Sequence, residues 1–228
     1  AHEGAGTGGG VARLVDGAVG ADALLLVDCA SDRLLLFTDP DGWRADTPAH
    51  GFDINGFDVS RTCADVTVDL RRAHPLPARG HAVDLHRLLL AADAVGGVRH
   101  MLDRTVAYAG QRRAFGRPIG GFQAVQHRLV DHTVRTRGMS LLVAEAARLL
   151  GAGAPEARRA VALAGVSVGS AATRILHDLL QLTGAIGFTW EYGLHFYTRR
   201  AHQDARLAAS PRAAVRSLAE LQGWTDAH

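Results

Sequence analysis

The sequence predicts a mainly α-helical protein in which a small antiparallel β domain precedes a helical bundle. Two observations lead to this prediction. Apolar residues recur every three or four positions over most of residues 84–222, which is the spacing of amphipathic helices. Short apolar runs of strand length occupy the first third of the chain, and the Pro/Gly linker "HPLPARGH" at residues 74–81 separates the two patterns.

The strand-like part of the sequence covers residues 11–80, after a Gly-rich start of ten residues that we expect to be flexible. The apolar runs "ALLLVDC" and "RLLLFTD" are separated by "ASD", which predicts a hairpin. The segments "WRADTP", "FDINGFDVS" and "CADVTVDL" continue the pattern, the last with alternating apolar residues. This region is too small for a complete sandwich or barrel, so we expect a partial antiparallel β domain.

Residues 81–228 are predicted to form the helical bundle domain. Gly116 and Pro118 separate the first two helices, and prolines at positions 155 and 211 precede the third and open the last. The apolar spacing predicts helices over residues 84–114, 122–150, 156–182, 190–205 and 211–222. Long helices joined by short loops pack antiparallel and bury their apolar stripes against one another.

Composition and charge exclude several classes of function. The 228 residues carry a net charge of only +2, all 25 basic residues are arginine, and no basic stripe with interleaved aromatics suggests nucleic-acid binding. We find no signal peptide and no apolar run long enough to cross a bilayer, so we expect a cytoplasmic protein without a membrane partner. Cys29 and Cys63 are expected to be reduced and half-buried, and the 12 scattered histidines predict no metal site.

The segment "YAGQRRAFGRPIGGFQAVQH", Tyr108 to His127, interrupts the helical pattern with glycines, a proline and three arginines. It leaves Arg112 and Phe115 at the end of one helix and Gln123 at the start of the next. A guanidinium, an aromatic face and an amide at a tight turn can hold a pyrophosphate and an adenine or flavin ring. From the residues alone we favour the simpler alternative of a solvated arginine near a helix C-terminus, with Phe115 in the core.

Four segments resemble the acyl-CoA dehydrogenase family. "YAGQRRAFGRPIGGFQAVQHRLVD" is similar to the family's Arg, Phe-Gly, Phe-Gln signature, and "QLTGAIGFTWEYGLHFYTRRA" to its Gln-x-x-Gly-Gly-x-Gly-Phe segment. "FDVSRTCADVTVDL" and "GGGVARLVDGAVGADALLLVDCA" are weaker matches to strands of the family's middle domain. Order and spacing agree from residue 10 onward. The resemblance implies the family's C-terminal antiparallel four-helix bundle, preceded by part of its middle β domain.

In the family, FAD lies between subunits, and residues of these two motifs reach the cofactor of a neighbouring subunit. The resemblance therefore implies a set of FAD-contacting residues in this chain. They are Arg112, Phe115, Ile119, Gln123, Gln181, Leu182 and Gly184.

The departures from the family concern the flavin and the catalytic base. Leu14 and Asp16 stand where the family has a tryptophan and a threonine against the flavin ring. Residues 208–210, Ala-Ala-Ser, stand in place of a Glu-Gly-Thr motif that carries the base. A second position for the base falls on His86, which we expect to be an exposed or capping residue. Asp93 is a more remote alternative, expected to be a buried or interface polar group, so no catalytic residue is predicted.

The leading hypothesis is a subunit of an FAD-dependent acyl-CoA dehydrogenase that acts on an acyl-CoA thioester and completes the FAD site of a catalytic partner. The chain most resembles the non-catalytic subunit of heteromeric members that handle steroid side-chain thioesters. Two alternatives remain open. One is a stand-alone homo-oligomeric dehydrogenase with His86 as base, and the other is an inactive structural or interaction homologue. The family's N-terminal helical domain and half of its β domain have no counterpart in this sequence, which a fragment of a longer polypeptide would explain.

Overall fold

The computed structural model describes residues 9–28, 33–46, 58–76, 81–208 and 211–224. The chain divides into two compact units, residues 1–83 and residues 84–228. The first contains antiparallel strands and the second contains helices, which is the fold class that the sequence predicts. Each unit has its own hydrophobic core.

The described part of the first unit contains two three-stranded antiparallel sheets. Their strands are β1 (Gly9–Asp16), β2 (Leu24–Asp28), β3 (Arg33–Phe37), β4 (Trp43–Asp46), β5 (Cys63–Asp69) and β6 (His74–Leu76). The strand orders are β1-β5-β4 and β2-β3-β6. The predicted pairing of the two leucine-rich runs is confirmed, with Leu24 opposite Phe37.

Strand β5 shows why the alternating pattern of "CADVTVDL" has structural meaning. Val66 and Val68 are buried while Thr67 between them is exposed, because successive side chains of a strand point to opposite faces. The buried valines join Phe37 in a core that draws on both sheets. Cys63 is fully buried rather than half-buried, and Cys29 lies outside the described residues.

Two details of this unit differ from the sequence prediction. The predicted linker begins with a strand, since His74–Leu76 pairs with β3 and only residues 77–80 lie outside the described part. Pro75 is tolerated there because β6 is an edge strand, where a missing N–H group breaks no ladder. In "FDINGFDVS", residues 52–57 are not described, and Asp58 forms a turn by accepting hydrogen bonds from the amide and hydroxyl of Ser60.

The described part of the second unit contains five α-helices. They are α1 (His81–Gln111), α2 (Gln123–Gly151), α3 (Ala157–Thr183), α4 (Leu194–Ala208) and α5 (Pro211–Leu221). The predicted ends are mostly within three residues of these bounds. The largest difference is the start of α4, which lies four residues later than predicted. Gly193 has a φ of +73°, which a helix cannot contain, and this delays the helix.

Helix α3 is the central element of the bundle. It packs against α2, α4 and α5, and it shares a core with α1. We expected no apolar run long enough to cross a bilayer, but Ala157–Phe188 meets that criterion by length and composition. A helix that packs against several others needs apolar residues on more than one side, and this accounts for its composition.

Leu176 is fully buried on α3, whereas Leu163 on the same helix is 41% exposed. We expect Leu176→Ala to lower the free energy of unfolding by about 2–5 kcal/mol, because the deletion leaves a cavity. The matched Leu163→Ala should cost less than about 1 kcal/mol. Urea denaturation followed by helical circular dichroism measures both, and equal losses would contradict this packing.

Candidate functional site

The break between α1 and α2 is a tight hairpin. Its short strands are β7 (Arg113–Ala114) and β8 (Arg117–Pro118), and a single 3₁₀ turn at Ile119–Gly121 leads into α2. The two residues at the tip, Phe115 and Gly116, have φ angles of +52° and +81°. Two consecutive positive φ values in a two-residue hairpin are typical of a type I′ turn, whose twist matches that of the flanking strands.

Phe115 is the most unusual residue of this hairpin. It is 95% exposed, so the expectation that it belongs to the core is wrong. It is also the one non-glycine residue with positive φ in the described part of the chain, a conformation that costs about 1–2 kcal/mol for an L-residue. Its ring meets the edge of Phe122 at a centroid distance of 6.2 Å. The backbone therefore holds a phenyl ring outward at an energetic cost.

Several contacts fix the backbone of the hairpin. The carbonyl of Arg112 accepts a hydrogen bond of 2.8 Å from the amide of Ile119, and the Arg113 guanidinium donates to the carbonyl of Gly116 at 3.0 Å. The Arg117 guanidinium lies 4.1 Å from the centre of the Phe122 ring, a cation–π contact. The Arg112 side chain is exposed, although both its backbone N–H and its backbone carbonyl make hydrogen bonds.

Arg117 and Phe122 are not among the residues that the resemblance predicts to contact FAD. The Phe122 ring contacts both the Arg117 guanidinium and the ring of Phe115, so it links the tip and the second strand of the hairpin to the start of α2. A Phe-Gly pair between arginines is an unusual signal for a type I′ turn, which normally has Asn or Gly at both central positions. Only the backbone angles identify it as such a turn.

The second motif lies where α3 ends. Gly184 has a φ of +64° and donates its amide to the carbonyl of Leu180, which closes the helix. A 3₁₀ turn follows at Gly184–Phe188. Within it Gly187 is buried, and a Cβ atom there would lie 2.3 Å from the Thr183 hydroxyl. The glycines of this motif are therefore required by the turn itself.

A network around Asp178 ties the two motifs together. The Arg128 guanidinium donates from Nη2 to Oδ1 and from Nε to Oδ2 of the Asp178 carboxylate, and His132 Nε2 lies 2.6 Å from the same Oδ2 atom. These pairs join the first turns of α2 to the last turns of α3. Since α2 and α3 are antiparallel, the hairpin before α2 and the turn after α3 lie at the same end of the bundle. The hydrogen bonds from Arg128 and His132 hold the pKa of Asp178 below its ordinary value.

The residues implied by the resemblance divide into two groups. Ile119 and Leu182 are half-buried and pack against the bundle core, so their side chains mainly support the turns. The other residues are exposed at this one end of the helical unit. They are Arg112, Phe115, Gln123, Gln181 and Gly184.

The exposed set offers donors and an aromatic face. Helix α2 has no side-chain N-cap, and the Val125 amide donates to the carbonyl of Phe122, so the amides of Gln123 and Ala124 are the donors that an anion could meet. The guanidinium of Arg112 adds a positive charge, and Phe115 adds a flat ring. A phosphorylated group with an attached aromatic ring suits this combination.

Among the candidate positions for a catalytic base, Asp93 alone carries a carboxylate. Ala208 lines a cavity of about 90 Å³ between α1, α3, α4 and α5, and Arg87 is the charged residue among its described lining. His86 is exposed near the start of α1. Asp93 forms an ion pair of 2.6 Å with Arg200, as expected of a structural polar group. The side chains of residues 14 and 16 in β1 lie outside what the structure describes.

Comparison with known proteins gives a consistent set of similarities. A family model described as "Acyl-CoA dehydrogenase, C-terminal domain" matches residues 78–210. "Acyl-CoA dehydrogenase IpdE2" of Mycobacterium tuberculosis is 39% identical over 141 residues, which are 62% of this chain and 42% of that protein. "Acyl-CoA dehydrogenase FadE34" of the same organism is 36% identical over 203 residues, 85% of this chain and 26% of that protein.

Solved structures extend the similarity to the whole chain. A variant of the "Tcur3481-Tcur3483 steroid ACAD" aligns with a TM-score of 0.84 and 26% identity, covering 100% of this chain and 63% of that one. The chain thus spans less than half the length of the two mycobacterial relatives and less than two thirds of the similar structure.

Backbone strain at Phe115 predicts an unusual order of stability between two variants. Phe115→Gly should be more stable than Phe115→Ala by about 1 kcal/mol, because both lose the ring but only glycine adopts positive φ without cost. The same pair at exposed Ala147 within α2 is the control, where the wild-type alanine should be more stable than Ala147→Gly. Chemical denaturation measures all of these, and a less stable Phe115→Gly would refute the strained turn.

The lowered pKa of Asp178 predicts a pH-dependent contribution to stability. Since its folded pKa lies below the ordinary 3.8, the contribution is present above that pH and is lost as the pH falls through the folded pKa. Asp178→Asn should lower the free energy of unfolding by about 1–2 kcal/mol at neutral pH. The difference in the free energy of unfolding between Asp178→Asn and the wild type should become smaller below pH of about 4.

Glu145 provides the control for that experiment. It pairs with Arg148 on the same helix, but both side chains are more than half exposed, so Glu145→Gln should change stability much less. Denaturant titrations at several pH values measure both variants. A loss for Asp178→Asn that stays constant down to pH of about 2 would contradict the assignment.

Proposed function

We propose that this chain, which belongs to the acyl-CoA dehydrogenase family, completes the FAD site of a catalytic partner subunit. Members of this family are FAD-dependent oxidoreductases. The proposed complex dehydrogenates an acyl-CoA thioester between its α and β carbons. In that complex this chain supplies cofactor contacts, and the partner supplies the catalytic base.

The observation that carries the proposal is the strained and exposed ring of Phe115. Its phenyl group gains almost no burial within its own helical unit, yet the backbone adopts positive φ to present it. Strained residues persist where a function requires the conformation. The Phe115 ring and the nearby Arg112 guanidinium both face solvent, so they are suited to contact a ligand that another subunit holds.

The chemistry of FAD fits these residues. Its pyrophosphate is an anion that matches the Arg112 guanidinium and the uncapped first turn of α2. Gln123 and Gln181 offer amide groups for hydrogen bonds, and Gly184 leaves room for close approach of the backbone to a ligand. When bound, FAD supplies the acceptor for the hydride that leaves the substrate's β carbon.

The position of the base favours a partner subunit over independent catalysis. Removal of the α-proton of a thioester requires a base within hydrogen-bond reach of it. At the position of the family's glutamate, Ala208 carries no ionisable group, and the described walls of the adjoining cavity contain no carboxylate. In the proposed complex the carboxylate that acts as the base therefore comes from the partner subunit.

Two similarities support the choice of partner and substrate class. The similar solved structure pairs two named components, Tcur3481 and Tcur3483, and is described as a steroid ACAD. Its resemblance extends over the whole chain at 26% identity. We therefore propose that the partner is a second acyl-CoA dehydrogenase chain and that the substrate is a bulky steroid side-chain CoA thioester.

Co-expression with a full-length acyl-CoA dehydrogenase chain from the same organism tests the proposal. The purified chain alone should be colourless, and the co-purified complex should be yellow and should reduce an electron acceptor when acyl-CoA is added. A chain that binds FAD and turns over by itself would instead favour a homo-oligomer with His86 as base. A colourless complex would favour an interaction protein without flavin.

Within the complex, Arg112→Ala should weaken FAD binding by about tenfold to a hundredfold, because a charge-assisted contact to the pyrophosphate is lost. Arg137→Ala is the matched control, since Arg137 is an exposed arginine in the middle of α2. Flavin absorbance after dialysis measures cofactor retention. Unchanged retention in Arg112→Ala would refute the cofactor-completing role even if the complex forms.

A further inference from the structure

Arg104 connects α1 with the segment that follows the second motif. Its Nη1 atom donates a hydrogen bond of 2.8 Å to the backbone carbonyl of Tyr192, and its guanidinium carbon lies 4.7 Å from the centre of the Tyr192 ring. One side chain therefore holds both the backbone and the ring of the same residue. A hydrogen bond from a charged donor is stronger than a neutral one, and the cation–π contact adds to it.

Tyr108 adds a second contact from the same face of α1. Positions 104 and 108 are four residues apart, so their side chains are neighbours on the helix surface. The rings of Tyr108 and Tyr192 form a T-shaped contact with centroids 6.0 Å apart. The backbone carbonyl of Tyr108 accepts a hydrogen bond of 2.8 Å from the amide of Arg112. Tyr192 is thus held by the part of α1 that leads directly into the first motif.

Hydrogen bonds connect Tyr192 in turn with the 3₁₀ turn at Gly184–Phe188. The amide of Tyr192 donates to the Thr189 hydroxyl at 3.3 Å, and that hydroxyl donates to the carbonyl of Ile186 at 2.9 Å. The amide of Thr189 donates to the same carbonyl at 3.0 Å. The connection therefore runs from Arg104 through Tyr192 and Thr189 to the turn that ends the second motif.

We propose that Arg104 is a positioning residue for the cofactor site, because it fixes the turn after α3 against the end of α1. Gln181 and Gly184 then keep a set position relative to Arg112. The Asp178 network joins α2 to α3, whereas Arg104 joins α1 to the turn itself. The inference rests on the proposed function, since it gives Arg104 a role in binding the FAD that the partner holds. Arg104 acts through Tyr192 and does not contact FAD.

The hydroxyl of Tyr192 provides a control. Tyr192 is 7% exposed, and its hydroxyl finds no hydrogen-bond partner among the residues that the structure describes. Tyr192→Phe removes this hydroxyl and keeps the ring and the carbonyl that Arg104 contacts. A buried hydroxyl without a partner contributes no hydrogen bond to the fold. We therefore expect Tyr192→Phe to bind FAD like the wild type.

Arg104→Met in the co-purified complex tests the proposal. Methionine occupies part of the same space but donates no hydrogen bond, so FAD should bind about tenfold more weakly. Because the base and the substrate site are untouched, turnover at saturating FAD should stay close to that of the wild type. Arg99→Met is the matched control, since Arg99 is an exposed arginine on the same helix. Titration of the flavin-depleted complex with FAD, followed by activity, measures both quantities.

Hydrogen exchange of the chain alone gives a measurement that needs no flavin. In Arg104→Met, the hydrogen-bonded amides of Thr189 and Tyr192 should exchange about tenfold faster than in the wild type, because the turn loses its anchor. Amides in the middle of α2 should exchange at the wild-type rate. Faster exchange throughout the bundle would show a general loss of stability and would overturn the positioning role.

The outcomes separate this inference from the proposed function. If Arg112→Ala loses FAD while Arg104→Met binds it like the wild type, Arg104 has no positioning role and the proposed function stands. If Arg112→Ala also keeps its FAD, the proposed function fails and takes the cofactor role of Arg104 with it. An affinity loss in Arg104→Met that Arg99→Met shares equally would refute the assignment as well.

Discussion

The carboxylate of Asp178 sets the constraint on which the candidate site depends. It accepts hydrogen bonds from Arg128 and contacts His132 one turn further along α2, so it fixes the start of one helix against the end of the next. A partly buried carboxylate needs such partners, because an unpaired charge would cost more than the pair gains. The hairpin before α2 and the glycine turn after α3 therefore share one end of the bundle.

The two turns at that end differ in how they satisfy the backbone. The turn after α3 follows the usual rules, since glycine occupies the position with positive φ and Gly187 stands where no side chain fits. The hairpin breaks them, since Phe115 adopts a conformation that glycine or asparagine would adopt more easily. Natural sequences break a local rule mainly where a function requires it. The contrast separates the hairpin, whose non-glycine residue is strained, from the turn after α3, whose backbone is not.

Much of the fold could be predicted from the sequence because apolar periodicity reflects burial directly. The helices, the leucine-rich hairpin and the alternating strand β5 all follow from it. Features set by single backbone angles or by tertiary contact could not be predicted. Gly193 delays α4, Pro75 lies in an edge strand, and Phe115 looks like a core residue by composition but is exposed. For the site, family resemblance supplied the positions, whereas the contact of Arg104 with Tyr192 depends on packing that no local pattern encodes.

The arrangement of charge around the hairpin also bears on the fate of a newly made chain. An exposed phenyl ring promotes self-association. Three exposed arginines, Arg112, Arg113 and Arg117, lie within three residues of Phe115 in the sequence. Like charges on two approaching copies repel each other, so these arginines oppose aggregation of the chain. The same cations attract an anionic ligand. One set of side chains thereby opposes self-association and favours an anionic ligand at the same end of the bundle.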